Sequence, residues 1–439
     1  MHDGYSHKAI WQIAAPMILS SISTPLVGLV DTALMGHLDT PAYLGGVAAG
    51  AVIFSVLFMS LNFLRMGTTG VTAQAFGAGN KTEILNSLAQ PLVIAGLLAL
   101  ALIMLQIPLI DLSLWLLGLM PEPAAMARDY FSIRVWSTPA ALANFVIIGW
   151  LLGMQNARGP LAIMLTINLS NLVLDIVFVV GMGLNIRGVA LATLLAEILG
   201  LIVALLFTRS VLQTQSPDWS QTSLLKLSSY KRLLSINSDL FVRSVALMFS
   251  FAFITAQGAR LGSVVLAANA LLMNFQLFLS FALDGVAHAA EALTGKAVGS
   301  GNLQGLDLAV KRTFFWTMLL AIIFTLFYMI FGTAIINLLT DLPDVRALAS
   351  DYLPWVAVLP LLSASAFLYD GVYVGATRSR EMRVIMTGAL VLIFLPAWFA
   401  TRDFGNHGLW MAFTAFMTVR SLAMYVWYRR LRATDQLFA

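Results

Sequence analysis

Twelve long apolar runs, bounded by Gly, Pro or charged residues, constrain the fold of this chain more than any other feature. A helix that crosses a bilayer needs about 20 apolar residues, and each run is close to that length or longer. The runs are residues 10–35, 44–66, 88–115, 130–153, 161–181, 188–208, 232–258, 263–283, 313–339, 352–377, 384–400 and 408–428. We therefore predict an all-α polytopic membrane protein with twelve transmembrane helices.

Composition excludes a water-soluble protein and several kinds of chemistry. Apolar residues make up 59% of the chain and charged residues 10%, whereas a soluble domain carries about 25% charged residues. Cysteine is absent, and the five histidines show no metal-ligand spacing. We expect no cofactor, no metal centre and no enzymatic activity, because no convergent catalytic set of residues is present.

Basic residues in the loops predict the orientation in the membrane. If both termini are cytoplasmic, sixteen of the 25 Lys and Arg residues fall in loops on that side and five on the other, and four lie inside spans. An excess of this kind marks the cytoplasmic side. We expect a location in the cell inner membrane. We expect no nucleic-acid partner, since the Lys and Arg residues lie in short loops that set the orientation.

A direct repeat divides the chain into halves. TAQAFGAGN at 72–80 matches TGKAVGSGN at 294–302, an offset of 222 residues. At the same offset, Gly149 and Gly153 match Gly371 and Gly375. Because each copy has an even number of helices, both enter the membrane from the same side. We predict two six-helix lobes related by a parallel repeat, residues 1–209 and 231–439, joined by a cytoplasmic linker at 210–230. Such an architecture is typical of alternating access.

Ionisable residues within the spans are candidates for function. Each would cost ~2.5–3.5 kcal/mol at a helix centre, so it must face protein or water. Eleven ionisable residues lie inside the spans or at their inner ends, namely Asp31, Arg65, Arg134, Asp175, Glu197, Asp239, Arg243, Asp284, Glu291, Asp370 and Arg420.

Five polar residues of the first half are predicted to form a cation or proton site. Asp31, Asp175 and Thr193 fall within ~6–9 Å of the outer boundary at 1.5 Å per residue. Asn171 lies one turn below Asp175, and Asn144 reaches the group from a deeper level. Two carboxylates in a poorly hydrated pocket can share a proton near neutral pH, or can hold Na⁺ between them. The alternative is that both merely join helices by hydrogen bonds.

A second set of ionisable residues is predicted to form secondary polar sites or a gate. This set contains Glu197, Asp239, Arg243, Asp284 and Asp370. For Glu197, one turn after Thr193, membership of the first-half pocket is the alternative. An ion-pair network is the simpler interpretation of its members near the inner face. Arg420 has no partner that the sequence identifies, and we expect Glu291 to lie in interfacial water.

Pro16 and Pro25 lie in the first predicted helix, before Asp31. Each removes one backbone hydrogen bond and makes a bend available. A bend there would open or close the pocket. Equally, the two prolines are ordinary residues of a membrane helix.

Five sequence motifs are spread along the chain, namely VDTALMGHL at 30–38, AQAFGAGN at 73–80, GMGLNIRGVALAT at 181–193, ALDGVAHAAEALTGKAVG at 282–299 and YDGVYVGATR at 369–378. Together they resemble the multidrug and toxic compound extrusion (MATE) family, specifically its DinF-like branch. The resemblance covers nearly the whole chain. It implies two lobes around a central cleft and extrusion of organic, often cationic compounds in exchange for H⁺ or Na⁺.

The resemblance also implies roles for particular residues. The family's first-lobe cation site corresponds to Asp31, Asn171, Asp175, Thr193 and Asn144. Some branches use a Glu of the seventh helix with an Asp of the tenth. Asp370 matches that Asp, but the seventh predicted helix contains no Glu, which favours proton coupling in the first lobe.

We therefore expect a monomeric antiporter that binds small organic molecules within the lipid bilayer. One alternative is a flippase for lipid-linked precursors, which predicts a strongly basic cleft. Another is a membrane partner subunit that transports nothing by itself.

Overall fold

The computed structural model describes the backbone of residues 3–36, 41–215, 224 and 227–438, and the side chains of residues 4–23, 45–215, 224 and 228–437. This part of the chain is helical and contains no strand. The helices of the first half are α1 (His7–Gly36), α2 (Pro41–Leu61), α3 (Phe63–Gly77), α4 (Lys81–Met104), α5 (Gln106–Leu117), α6 (Pro121–Arg134), α7 (Thr138–Gly153), α8 (Arg158–Asp175) and α9 (Asn185–Gln215).

The second half has fewer breaks in its helices. The helices of the second half are α10 (Leu227–Leu261), α11 (Ser263–Gly299), α12 (Leu303–Leu339), α13 (Pro343–Gly375), α14 (Ser379–Ala389), α15 (Leu395–Thr401) and α16 (Asn406–Ala433). A π-helix at Leu390–Phe394 joins α14 to α15, and another at Ile176–Gly181 extends α8.

The predicted all-α membrane fold is confirmed. Within the described residues, eleven helical segments are long and apolar enough to cross a membrane, and α5 is a shorter apolar helix. The helix α1, whose side chains are described only as far as Ser23, corresponds to the first predicted span and continues unbroken through Pro16 and Pro25. Several predicted spans consist of two elements, such as α2 with α3 and α6 with α7.

The repeat motif forms the same helix boundary in both halves. Gly79 and Gly301 occupy equivalent places in the repeat, and both adopt left-handed backbone angles (φ +66° and +63°) that glycine tolerates at no steric cost. The next residue then caps a new helix, since the Asn80 side chain accepts a hydrogen bond from Glu83 N (3.1 Å) and Asn302 from Gly305 N (2.8 Å). The motif is therefore a helix stop followed by a helix start.

Close helix crossings also recur in equivalent places. A Cβ on Gly149 would lie 2.4 Å from Arg65 O, and a Cβ on Gly371 would lie 2.2 Å from Ala287 O. Arg65 and Ala287 are themselves equivalent positions of the repeat. In each half, the absence of a side chain lets two helix backbones meet.

We expect Gly371→Ala to lower stability by about 1–3 kcal/mol, because the new methyl group must displace backbone. The measurement is the melting temperature of the purified protein in detergent. Gly388→Ala is the matched control, since a Cβ there meets no atom within 4 Å. Equal melting temperatures for the two variants would contradict the close crossing.

Contacts within the chain define two units, Leu19–Leu234 and Met1–Ile18 with Ser235–Ala439. The start of the chain joins the second unit because Arg312 Nη1 donates to Tyr5 O (2.6 Å) and Trp316 Nε1 donates to His7 Nδ1 (3.0 Å). The apolar runs and the repeat did not predict that the start of the chain packs with the second half. The predicted lobe boundaries remain a prediction.

Each unit has its own aromatic core. In the first, Phe54 stacks near Phe131, with ring centroids 5.0 Å apart. In the second, the rings of Phe394 and Phe416 lie 5.6 Å apart. The second core also contains a buried amide pair, Asn269 and Asn406, whose side chains donate to each other at 2.8 and 2.9 Å.

Candidate functional site

The helix α8 presents three polar side chains to the interior of the first unit. Asn168, Asn171 and Asp175 are three and four residues apart, so they share one helical face, and they are 8%, 5% and 0% exposed. On the other side of α8, Leu169 and Val173 are more than half exposed. The exposed side of α8 is therefore apolar, and its polar side chains lie in the interior of the first unit.

Asn171 joins α8 to α9. Its Nδ2 donates to Thr193 Oγ1 at 3.3 Å, and that hydroxyl donates to Val189 O of its own helix at 3.1 Å. The structure thus brings together two of the residues predicted to form the site.

Asn144 and Glu197 form a second polar contact, one helical turn beyond Thr193 on α9. Asn144 Nδ2 donates to Glu197 Oε2 at 2.9 Å and to Glu197 O at 3.1 Å. The backbone is close here, since a Cβ on Gly200 would lie 3.4 Å from Asn144 Nδ2. The sequence left Glu197 between the secondary residues and the first-half pocket, and the structure bonds it directly to Asn144.

The helix α1 is joined to the same face of α8. Asn168 Nδ2 donates to Ser23 Oγ at 2.6 Å. Asp31 follows about two turns later on the α1 backbone, but its side chain, like that of Pro25, lies outside the described residues. The proposed role of Asp31 therefore stays a prediction.

Asp175 lies at the junction of α8 and its π-helical extension, Ile176–Gly181. A π-helical turn widens the helix by one residue and occurs often at functional sites. Asp175 is fully buried. An ionisable residue enclosed within a span is a candidate for function, and the adjoining π-helix is a second reason to regard Asp175 as a candidate.

Arg134 is a basic residue of the first unit at the end of α6. Its guanidinium lies over the Phe54 ring at 4.6 Å and donates to the Tyr130 hydroxyl. It also lies within electrostatic reach of Glu197.

The second unit contains a buried ion cluster that joins three helices. Arg243 of α10 and Arg420 of α16 both donate to Asp370 Oδ2 of α13. Their side chains are 11%, 3% and 11% exposed. Asp284 of α11 lies within electrostatic reach of Arg420. The partner that the sequence did not identify for Arg420 is therefore Asp370.

Asp239, although one turn from Arg243, belongs to a different contact. Arg383 Nη1 lies 2.9 Å from Asp239 Oδ1, and Ser379 Oγ donates to Asp239 Oδ2 at 3.0 Å. Sequence reasoning missed Ser379 and Arg383. The available signal was that a carboxylate near the inner end of a span needs a basic partner, and Arg383 is in the loop assigned to that side.

Glu291 corrects an expectation of the sequence analysis. It is 2% exposed and therefore does not lie in interfacial water. Its Oε2 lies 3.2 Å from His288 Nδ1, one turn earlier on α11. Close packing of α13 against the backbone of this turn explains the burial, since a Cβ on Gly375 would lie 2.3 Å from Glu291 O.

Within the described part of the chain, no group of three or more His, Asp or Glu side chains is able to hold a metal ion. The predicted Na⁺ site at Asp31 and Asp175 includes a side chain outside that part.

The fold and the polar groups inside its spans define a polytopic transporter, and comparison with known proteins names its family. The family model described as MatE matches residues 16–177 and 240–399. The chain therefore belongs to the MatE family of membrane transporters and is not an enzyme.

Individual relatives support the same assignment. The chain is 43% identical to DNA damage-inducible protein F of Escherichia coli K12 (DinF), over 97% of this chain and 92% of that protein. It is 23% identical to the multidrug resistance protein MdtK of Yersinia pseudotuberculosis, over 98% and 97%. The resemblance to the DinF-like branch is confirmed.

Solved structures share the fold. A MATE transporter crystallised in the bent conformation has a TM-score of 0.86 at 19% identity, covering 97% of this chain and 95% of that one. An outward-facing multidrug resistance MATE transporter gives a TM-score of 0.86 at 18% identity, covering 97% and 96%.

Proposed function

We propose that this protein is a cation-coupled antiporter that extrudes organic cationic or amphipathic compounds by alternating access. The observation that carries this proposal is the buried polar group of the first unit, in a chain of a transporter family. Asp175 is buried one helical turn from Asn171, which donates to Thr193. The Asn144–Glu197 contact lies one turn further along α9. Relatives named as multidrug resistance proteins support the substrate class.

Protons are proposed as the coupling ion in preference to Na⁺. In the described part of the site, amide N–H groups point at the Thr193 hydroxyl and the Glu197 carboxylate. Na⁺ needs several converging oxygen ligands, whereas a proton needs only one buried carboxylate and a change in its environment. In this proposal Asp31 and Asp175 exchange the proton, and Asn144, Asn171 and Thr193 orient the pocket.

The positions of the second half that are equivalent to the polar group support coupling in the first half only. The residues that the repeat makes equivalent to Asp31 and Asn144 are Phe253 and Ala366. Phe253 packs against Phe394 (5.3 Å between centroids) and Trp398 (6.2 Å). Since aromatic packing occupies the equivalent place, the repeat retains no second copy of the polar group there.

The described arginines argue against the flippase alternative. A pyrophosphate group would need basic side chains available to bind it. Arg243 and Arg420 instead share Asp370, and Arg134 is bonded to Tyr130 and stacked on Phe54.

The proposal includes an inner-membrane location with both termini in the cytoplasm and a monomeric transporter. The distribution of loop bases supports the orientation.

The test is proton flux through purified protein in liposomes loaded with a pH-sensitive dye. We expect a gradient of tetraphenylphosphonium to drive proton flux in Na⁺-free buffer, and protein-free liposomes to show none. Flux that requires Na⁺ would contradict proton coupling. Absence of flux with either ion would favour the flippase.

A further inference from the structure

A cluster of tyrosines with one arginine lies near the end of α16 in the second unit, apart from the polar groups described above. This Tyr–Arg cluster consists of Tyr369 of α13 and of Tyr425, Tyr428 and Arg429 of α16. The centroid of the Tyr369 ring lies 6.0 Å from that of Tyr425 and 5.1 Å from that of Tyr428. Arg429 lies within electrostatic reach of all three hydroxyl groups. The proposed antiport uses none of these residues.

Arg429 is exposed, and its partner in the cluster carries no charge. Its Nη1 donates to the Tyr425 hydroxyl at 3.0 Å, and its guanidinium lies 5.9 Å from the centroid of that ring. Arg432, one turn later, is bound differently, since its Nε and Nη2 donate to the two oxygens of Asp307 at 2.8 Å each. Asp307 is therefore neutralised by Arg432, whereas the positive charge of Arg429 remains available to an external anion.

The tyrosines supply a fixed hydrogen-bond donor beside this charge. The Tyr425 hydroxyl accepts from Arg429, and because a phenol group both accepts and donates, its own proton is left for another acceptor. Tyr369 is 2% exposed, so its ring forms a buried support for the rings of Tyr425 and Tyr428. A guanidinium and a hydroxyl that point to one place suit the oxygens of a phosphate group.

The exposed face of α16 that leads to the cluster is apolar. Leu422 and Val426 lie seven and three residues before Arg429, on the same side of the helix, and they are 58% and 49% exposed. Leu422 lies ~10 Å further into the predicted span at 1.5 Å per residue. Arg429 directly follows the end of that span at Tyr428. The face thus combines an apolar stripe within the hydrocarbon with a basic end at the level of the lipid headgroups.

We propose that the Tyr–Arg cluster binds the phosphate of an anionic phospholipid. Arg429 and the Tyr425 hydroxyl donate to the phosphate oxygens, and an acyl chain lies along Leu422 and Val426. The apolar stripe favours a lipid over free phosphate, which has no group to place there. In the proposed orientation this end of α16 lies at the cytoplasmic leaflet, whose anionic lipids attract basic residues. The inference goes beyond the proposed antiport and does not rest on it.

The test is native mass spectrometry of the purified, delipidated protein, titrated with dioleoyl phosphatidylglycerol or with dioleoyl phosphatidylcholine. The two lipids share their acyl chains and differ in net charge. We expect tighter binding of phosphatidylglycerol. Arg429→Gln should weaken that binding about fivefold, since one basic residue near an anionic lipid contributes about 1 kcal/mol, and should leave phosphatidylcholine binding and the melting temperature without lipid unchanged.

The matched control is Arg260→Gln, which removes another exposed arginine near the end of a helix of the same unit. It should bind phosphatidylglycerol as the wild type does. An equal loss in both variants, or equal affinity of the wild type for the two lipids, would overturn the proposal. Displacement of phosphatidylglycerol by an equal concentration of inorganic phosphate would also overturn it, because the site would then bind a free anion.

Tyr425→Phe keeps the ring and removes only the hydroxyl. We expect this variant to bind phosphatidylglycerol more weakly than the wild type at an unchanged melting temperature. It decides the question if Arg429→Gln fails to fold, and wild-type binding by Tyr425→Phe would then overturn the proposal. Selective lipid binding together with absent proton flux in the wild type would contradict the antiporter and leave this site standing.

Discussion

The Asp31→Asn variant is expected to lose substrate-driven proton flux completely, down to the level of protein-free liposomes, while its melting temperature stays near the wild-type value. An amide has nearly the shape of a carboxylate but cannot exchange a proton at neutral pH. The reconstituted flux assay and a thermal unfolding curve are the two measurements. Asp175→Asn should behave in the same way, since its side chain is fully buried in the same unit.

The matched control for these carboxylates is Asp403→Asn. Asp403 is exposed, and its Oδ1 lies 3.8 Å from Arg402 Nε. We expect wild-type flux from this variant. Full activity of Asp31→Asn would show that Asp31 does not couple transport, whereas loss of activity in all three variants would point to a general effect of removing surface or buried acids.

The second large effect is expected from Asp370→Asn, which should lower stability by about 3–5 kcal/mol. Asp370 Oδ2 accepts from both Arg243 and Arg420, and Arg420 is 2% exposed. Without the carboxylate, two guanidinium groups remain close together in a poorly solvated place. The melting temperature in detergent measures the loss.

A double variant distinguishes charge balance from a packing defect. Asp370→Asn with Arg243→Gln removes one charge of each sign and leaves Arg420 within reach of Asp284. We expect it to recover much of the lost stability. If the double variant is no more stable than Asp370→Asn alone, uncompensated positive charge is not the cause.

Much of the fold could be predicted because its signals are local. Apolar runs predict spans wherever the hydrocarbon excludes water, and the constant offset between the repeated motifs predicts which helices are equivalent. The close crossings at Gly149 and Gly371 confirm this equivalence at the level of single atoms. The breaks within spans, such as the π-helix after Asp175, were not predicted because they depend on how neighbouring helices pack.

The candidate site was predicted in part. Depth along each helix placed Asn171 beside Thr193, and the structure joins them. Depth did not pair Asn144 with Glu197 or Arg420 with Asp370, since it leaves the rotation of a helix about its axis undetermined. The predicted environment of Glu291 was wrong for a different reason. Its distance from the end of the predicted span suggested contact with water, whereas close packing against α13 buries it.

The sequence by itself determined that this chain is a helical membrane protein built from a repeated set of six spans, and it identified the ionisable residues that such a protein must enclose. Hydrophobicity and spacing can be read from the amino-acid sequence without a structure. Only the tertiary structure decided which charges neutralise one another. Arg243, Asp370 and Arg420 come from three helices separated by long stretches of chain, and their meeting depends on the mutual rotation of packed helices, which hydropathy does not encode.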